Sequence, residues 1–164
     1  MKREAYFLPL SCAAAVSAGM ILKMSAKWSD TAAWSYIISP VSNTPWELFK
    51  PFAIAYMFWI LIELSCLRPH LLHFVCSKSI GLYTLFAAIF LFHYILSPLL
   101  PFDVFSAWTA SAAAIIAECV SYSLYKSDIR VEIFSLPLLL TYLITVFLII
   151  ILTAAEMKYI GTAV

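Results

Sequence analysis

PWELFKPFAIAYMFWILIELSCL, residues 45–67, is the stretch that decides the fold. Glu47, Lys50 and Glu63 are its only charged side chains, and apolar residues fill most of the rest. A helix needs roughly 20 mostly apolar residues to cross the hydrocarbon core of a bilayer. Lipid offers no partners to backbone N–H and C=O groups, so a spanning segment must satisfy them internally, as a helix does. Residues 45–67 therefore predict a membrane-spanning helix.

Four further segments read the same way: about 6–24, 79–96, 104–125 and 131–154. The fold class expected is an all-α polytopic transmembrane bundle of five helices, forming a single integral membrane domain over 1–164. Composition agrees. Of 164 residues 64% are hydrophobic and 12% are charged, about half the charged share of an average soluble domain. A soluble domain of this size could not hide so much apolar surface. The net charge of +1 gives no concentrated basic face, so nucleic acid is not an expected partner. The bilayer is the expected partner, with a membrane protein or a second copy of the chain as further candidates.

Met1, Lys2 and Arg3 before an apolar run resemble a signal peptide, but the run continues to Leu22, as a first spanning helix would. With the N-terminus cytoplasmic, Lys2, Arg3, Arg68, Lys78, Lys126 and Arg130 lie inside and Lys23, Lys27, Lys50 and Lys158 outside. That excess, and the absence of basic residues from 97–103, predict a cell-membrane protein with its N-terminus in and C-terminus out. The more polar segment 26–44 carries Trp28, Trp34 and Tyr36, residue types that settle at the bilayer surface. It is expected to form an outer interfacial or re-entrant piece.

Packing signals are present as well. Ala14/Ala18 and Ala15/Gly19 in the first helix, and Ser106, Ala110, Ala113, Ala114 and Ala117 in the fourth, are small residues at helical spacing. Such residues let helix backbones approach closely in lipid. These two helices are expected to be central. The bulky run 138–152 marks the fifth as the more lipid-facing.

The start of residues 45–67 has a plain structural reading. Thr44 is a good N-cap, Pro45 takes the first helical position and Glu47 follows three residues after the cap, as in a capping box. Lys50 lies one turn from Glu47 and can pair with it or reach the interface. The same stretch, with Pro40, Val41, Trp46, Glu47 and Lys50, resembles the P-V-N-E-S-x-W-E-H-x-K motif of a family of uncharacterised small bacterial multi-spanning membrane proteins. Thr44 stands where that motif has serine, Ser42 and Asn43 where it has asparagine and glutamate, and Leu48 where it has histidine. Glu63 and Asp103 extend the likeness. The resemblance implies a multi-spanning membrane protein and carries no activity with it.

Topology places Trp46, Glu47, Lys50, His93 and Asp103 near the outer ends of helices two, three and four, as candidates for one outward-facing polar pocket. Ionisable residues at membrane depth are costly and raise a functional hypothesis by default. Glu63 and Glu118 fall toward the cytoplasmic halves of their helices. A buried carboxylate must find a donor or take up a proton, so these two are candidates for a proton or ion relay, or for hydrogen bonds that fix packing. Tyr56 and Trp59 share roughly one face with Glu63.

Cys66, His70, His73 and Cys76 have residue types that suit zinc or copper. Pro69 interrupts them, and on one straight helix they would stretch over about 15 Å, so no metal and no cofactor is expected. The cysteines show no C-x-x-C spacing and no disulfide framework. There is no G-x-S-x-G, no H-E-x-x-H and no phosphate loop, and the chain has three glycines, so hydrolase and nucleotide-binding functions lack support. Enzyme activity is therefore the weaker expectation. The reading favours a small-solute or ion permease, or a membrane subunit of a larger assembly. A membrane-embedded enzyme acting on a lipid or isoprenoid through Glu47, His93 and Asp103 is the alternative, followed by a structural or assembly partner.

Overall fold

Residue 44 starts a helix for reasons visible in its backbone. The Glu47 N–H donates to Thr44 Oγ1 at 3.4 Å and the Leu48 N–H to the Thr44 carbonyl at 3.1 Å. These bonds occupy donors that a helix N-terminus otherwise leaves unsatisfied. The computed structural model describes residues 2–28, 44–67, 71–96 and 102–127, together with 140, 143–145, 147 and 151; side chains are described from residue 8, except at 26–28, 67, 96 and 102–106. Four helices are continuous: α1 (Lys2–Trp28), α2 (Pro45–Leu67), α3 (Leu71–Leu96) and α4 (Phe102–Lys126). Within the fifth predicted segment, residues 140, 143–145, 147 and 151 are helical. The described residues hold no strand, and the all-α expectation holds.

Among the described residues, three stretches are long and apolar enough to cross a membrane: Leu8–Ser25, Pro45–Cys66 and Leu71–Ile95. α4 has similar length but is richer in alanine and serine and carries Glu118. Two boundaries differ from the expected ones. α1 runs on to Trp28, so the interfacial segment expected over 26–44 begins as helix; its remainder, 29–43, lies outside the described residues. α3 begins at Leu71 rather than near residue 79. The helix restarts after Pro69, and Leu71, Leu72, Phe74 and Val75 give its first turns an apolar surface. This extension takes Lys78 two turns inside the helix.

Small residues bring the helices together. Ala110, Ala113, Ala114 and Ala117 of α4 are fully buried. A Cβ at Gly19 would lie 2.5 Å from the Phe52 ring, so α1 and α2 meet closely there. A Cβ at Gly81 would collide with the Tyr56 hydroxyl and lie 2.9 Å from Ser121 Cβ, so α2, α3 and α4 meet at that point. The core between them holds Phe49, Phe52, Tyr56, Phe74, Leu82 and Leu85. Phe49 packs edge-on to Phe86 at 5.2 Å. Large apolar side chains also point outward: Phe58, Leu61, Leu91, Trp108 and Ile115 are exposed, as are Leu140, Leu143, Phe147 and Ile151 at helical spacing. An exposed apolar belt of this kind suits lipid, not water.

Candidate functional site

Glu63, Lys78 and Glu118 meet inside the bundle. Lys78 Nζ lies 2.6 Å from Glu63 Oε2 and 2.8 Å from Glu118 Oε2, and all three side chains are at most 7% exposed. The partners come from the end of α2, the start of α3 and the end of α4. Antiparallel packing of consecutive helices puts those three levels together. The start of α1 reaches the same level, where the Ser11 hydroxyl donates to Glu63 Oε1. Trp59, one turn before Glu63, donates its indole N–H to the same oxygen at 3.0 Å. The Lys78 ammonium also lies over the rings of Tyr56, at 5.5 Å, and Phe74, at 5.9 Å, which adds cation–π attraction. By helix rise the lysine is about 10 Å inside the start of α3.

The cluster borders a cavity of about 60 Å³ lined by Ser11, Glu63, Lys78, Glu118, Ser121 and Tyr122 among others. At roughly 15 Å³ per water centre this is room for a few waters or one small solute. Lys78 can balance one carboxylate, so with both glutamates ionised the cluster carries a net charge of −1. The two carboxylates are not equivalent. Glu63 accepts from Ser11 and Trp59 through Oε1 and is ion-paired to Lys78 through Oε2. Glu118 accepts from Lys78 through Oε2, while its buried Oε1 has no hydrogen-bond partner among the described residues. Ser121 Oγ, one turn further along α4, is likewise buried without such a partner.

Magnitudes separate a structural from a functional reading of the cluster. Insertion scales place one ionisable side chain at helix centre at about 2.5–3.5 kcal/mol. Exchanging a buried ion cluster for well-packed apolar residues is often neutral or stabilising. A packing role alone does not require three such groups.

At the opposite level of α2, Glu47 Oε1 and Lys50 Nζ form an ion pair at 2.5 Å with side chains 1% and 0% exposed. Trp46 is half-buried and tilted over Phe49 at 5.8 Å. His93 is half-buried on α3, two turns beyond Phe86, and its ring meets Tyr94 edge-on at 5.8 Å. Trp46, Glu47, Lys50 and His93 thus lie toward one end of the bundle, and within this set the structure joins Glu47 to Lys50. Asp103 lies in the first turn of α4, with its side chain outside the described residues. Of the relay candidates, Glu63 and Glu118 are joined through Lys78.

The residues considered for a metal are spread out. Cys66 is exposed near the end of α2, Cys76 is buried in α3, and His73 places Nε2 3.1 Å from the Tyr125 carbonyl oxygen. His70 lies outside the described residues. No group of three His, Cys, Asp or Glu side chains among the described residues is arranged to hold a metal ion.

Lys78 is the residue that sequence reasoning assigned to a cytoplasmic loop. Its signal was available: a lysine between Ser77 and Ser79, after an apolar run from Leu71, within a chain that also has lone acids in two other helices. Comparison with protein-family models, characterised proteins and solved structures finds no match to this chain, and the likeness of residues 40–50 to the membrane-protein motif rests on those residues alone.

Proposed function

We propose that the chain is a multi-pass cell-membrane protein that passes a small cationic solute or ion through its bundle, by itself or as the membrane subunit of a larger assembly. The Glu63–Lys78–Glu118 cavity is its binding centre. One observation carries this reading: three ionisable side chains from three helices converge on a cavity within an apolar bundle. The surplus negative charge selects for cations.

The proposed orientation keeps the N-terminus cytoplasmic. Lys78 and Lys50 are buried and paired, so neither counts as a loop charge. The remaining count is five basic residues inside (Lys2, Arg3, Arg68, Lys126 and Arg130) against three outside (Lys23, Lys27 and Lys158). The excess of two on the cytoplasmic side is unchanged and supports the same direction. The cavity then lies in the cytoplasmic half of the membrane.

The test is flux into liposomes carrying the purified protein, followed with an entrapped pH dye for protons and with labelled sodium and methylammonium. At least one of these is expected to cross faster than in protein-free liposomes, and Glu118→Gln is expected to return that flux to background. Background flux for all three in the wild type, or undiminished flux in the variant, overturns the reading.

A further inference from the structure

Two carboxylates share one ammonium in this cluster, and their surroundings divide the labour between them. Glu63 has both oxygens in contact with a partner: Oε1 accepts from the Ser11 hydroxyl and the Trp59 indole, and Oε2 lies 2.6 Å from the Lys78 ammonium in an ion pair. Two hydrogen bonds and an ion pair thus surround its carboxylate. Glu118 has one donor, Lys78, and a second oxygen that is buried in a cavity-lining side chain without a partner among the described residues. An ionised oxygen in such a place is costly. Two like charges beside one counter-ion also repel each other, which favours neutralising one of them.

From this asymmetry we infer that Glu118 is an exchangeable proton site, with Glu63 and Lys78 as the fixed ion pair beside it. Protonation adds one H⁺ from cavity water to Glu118 Oε1. The cluster goes from −1 to neutral, and the new O–H becomes a donor toward the cavity, where Ser121 Oγ is an acceptor on the same helix. Deprotonation returns the proton to water and restores the negative charge for a cationic guest. No electron moves and no other bond is made or broken. The charged and titratable groups facing Glu118 among the described residues are Glu63 from α2, Lys78 from α3, Cys12 from α1, and Tyr122 and Tyr125 from α4 itself. Lys78 is the one cation among them. The assignment deepens the transport reading, because a proton and a cation would compete for one negative charge, and it rests on the cavity being the working site.

Infrared difference spectroscopy on the purified protein in lipid nanodiscs, near neutral pH, tests it without any transport assay. The wild type is expected to show one protonated-carboxyl C=O band that shifts in D₂O. Glu118→Gln is expected to remove it. Glu63→Gln is also expected to remove it, although Glu118 is intact, because Lys78 then serves Glu118 alone and holds it ionised. Lys78→Met is expected to give two such bands, both carboxylates having lost their counter-ion. The Glu63→Gln arm keeps the test decisive if Glu118→Gln fails to fold.

Absence of the band in the wild type, its survival in Glu118→Gln, or its survival in Glu63→Gln overturns the assignment. A band that grows when sodium in the buffer is exchanged for N-methylglucamine supports the assignment, because removing a competing cation leaves the proton to neutralise the site. The expected band pattern with no flux in liposomes upholds this assignment and overturns transport. Flux without the band does the reverse.

Discussion

The helix α2 carries a buried charged centre near each end, and the two are built on different principles. Lys50 and Glu63 are 13 residues apart in sequence, about 20 Å along the axis. Glu47 and Lys50 sit within one turn of one helix, one acid to one base. The two charges of the pair cancel. The Glu63 centre draws on α1, α2, α3 and α4 and exists only in the assembled bundle. It also holds one acid too many. A neutral local pair meets its own desolvation cost and leaves nothing over, whereas a shared lysine leaves a negative charge that something else must neutralise. Burial alone therefore does not distinguish the two centres; unequal charge gathered from several helices does.

The comparison breaks most sharply at Lys78. Replacing it with methionine leaves two buried acids without a counter-ion, and removing one partner of a buried pair typically costs about 3–5 kcal/mol. Thermal unfolding in detergent is expected to show a loss in that range for Lys78→Met. Lys50→Met is expected to cost less, because Glu47 lies in the first turn of its helix, where the dipole and free backbone donors favour an anion. Equal losses at the two lysines would remove the distinction drawn between the centres.

Next in size is the close approach that lets the inner centre form. An alanine at Gly81 would press on Tyr56, on Ser121 Cβ at 2.9 Å and on the Ala117 carbonyl at 3.2 Å. The first can swing only against a filled core, since Tyr56 is fully buried, and the last is backbone. Overpacking of this kind costs about 1–3 kcal/mol, and unfolding of Gly81→Ala is expected to fall in that range. A wild-type unfolding temperature would show that α3 and α4 separate freely there.

These two residues also show what could be read in advance. The apolar lengths fixed an all-helical bundle, and the alanine stripe of α4 announced its burial, because both follow from local chemistry. Thr44, Pro45 and Glu47 marked the start of α2 for the same reason. Lys78 was hidden by one boundary. Counting the helix from about residue 79 places the lysine in a loop; starting it at Leu71 places it two turns inside. Its partners lie 15 and 40 residues away in sequence, so no local pattern pairs them. Glu63 and Glu118 were legible as acids in need of a donor, and Trp59 as a neighbour of Glu63, but the identity of the shared base depended on how the helices pack. For the expected outer pocket, topology grouped Lys50 with His93 and Asp103; the structure pairs Lys50 with Glu47, one turn away on its own helix, and the Asp103 side chain lies outside the described residues.

A smaller effect belongs to the cap. Thr44 Oγ1 accepts the Glu47 N–H, and loss of an N-cap hydroxyl costs roughly 1 kcal/mol. Thr44→Ala is expected to lower stability by about that much and to leave flux unchanged, since it loosens the neutral end of α2 and not the cavity. A large loss of flux would mean that the two ends are coupled through the helix.

The smallest expected effect is the most discriminating. Replacing both partners of a buried ion pair by uncharged residues of similar shape is often neutral or stabilising. The double variant Glu47→Gln, Lys50→Met is therefore expected to unfold within about 1 kcal/mol of the wild type, and to keep its flux. The triple variant Glu63→Gln, Lys78→Met, Glu118→Gln removes charge just as completely and is expected to fold comparably well, yet its flux should fall to that of protein-free liposomes. Both changes abolish buried charge in one bundle, so stability cannot separate them and transport must. If the outer double variant also lost its flux, the pair at the start of α2 would belong to the pathway, and the pocket that Lys50, His93 and Asp103 suggest from the sequence would regain its claim as a second gate. If the triple variant kept its flux, the inner cluster would be a packing device, and the surplus charge at Glu118 would have no role in moving a solute.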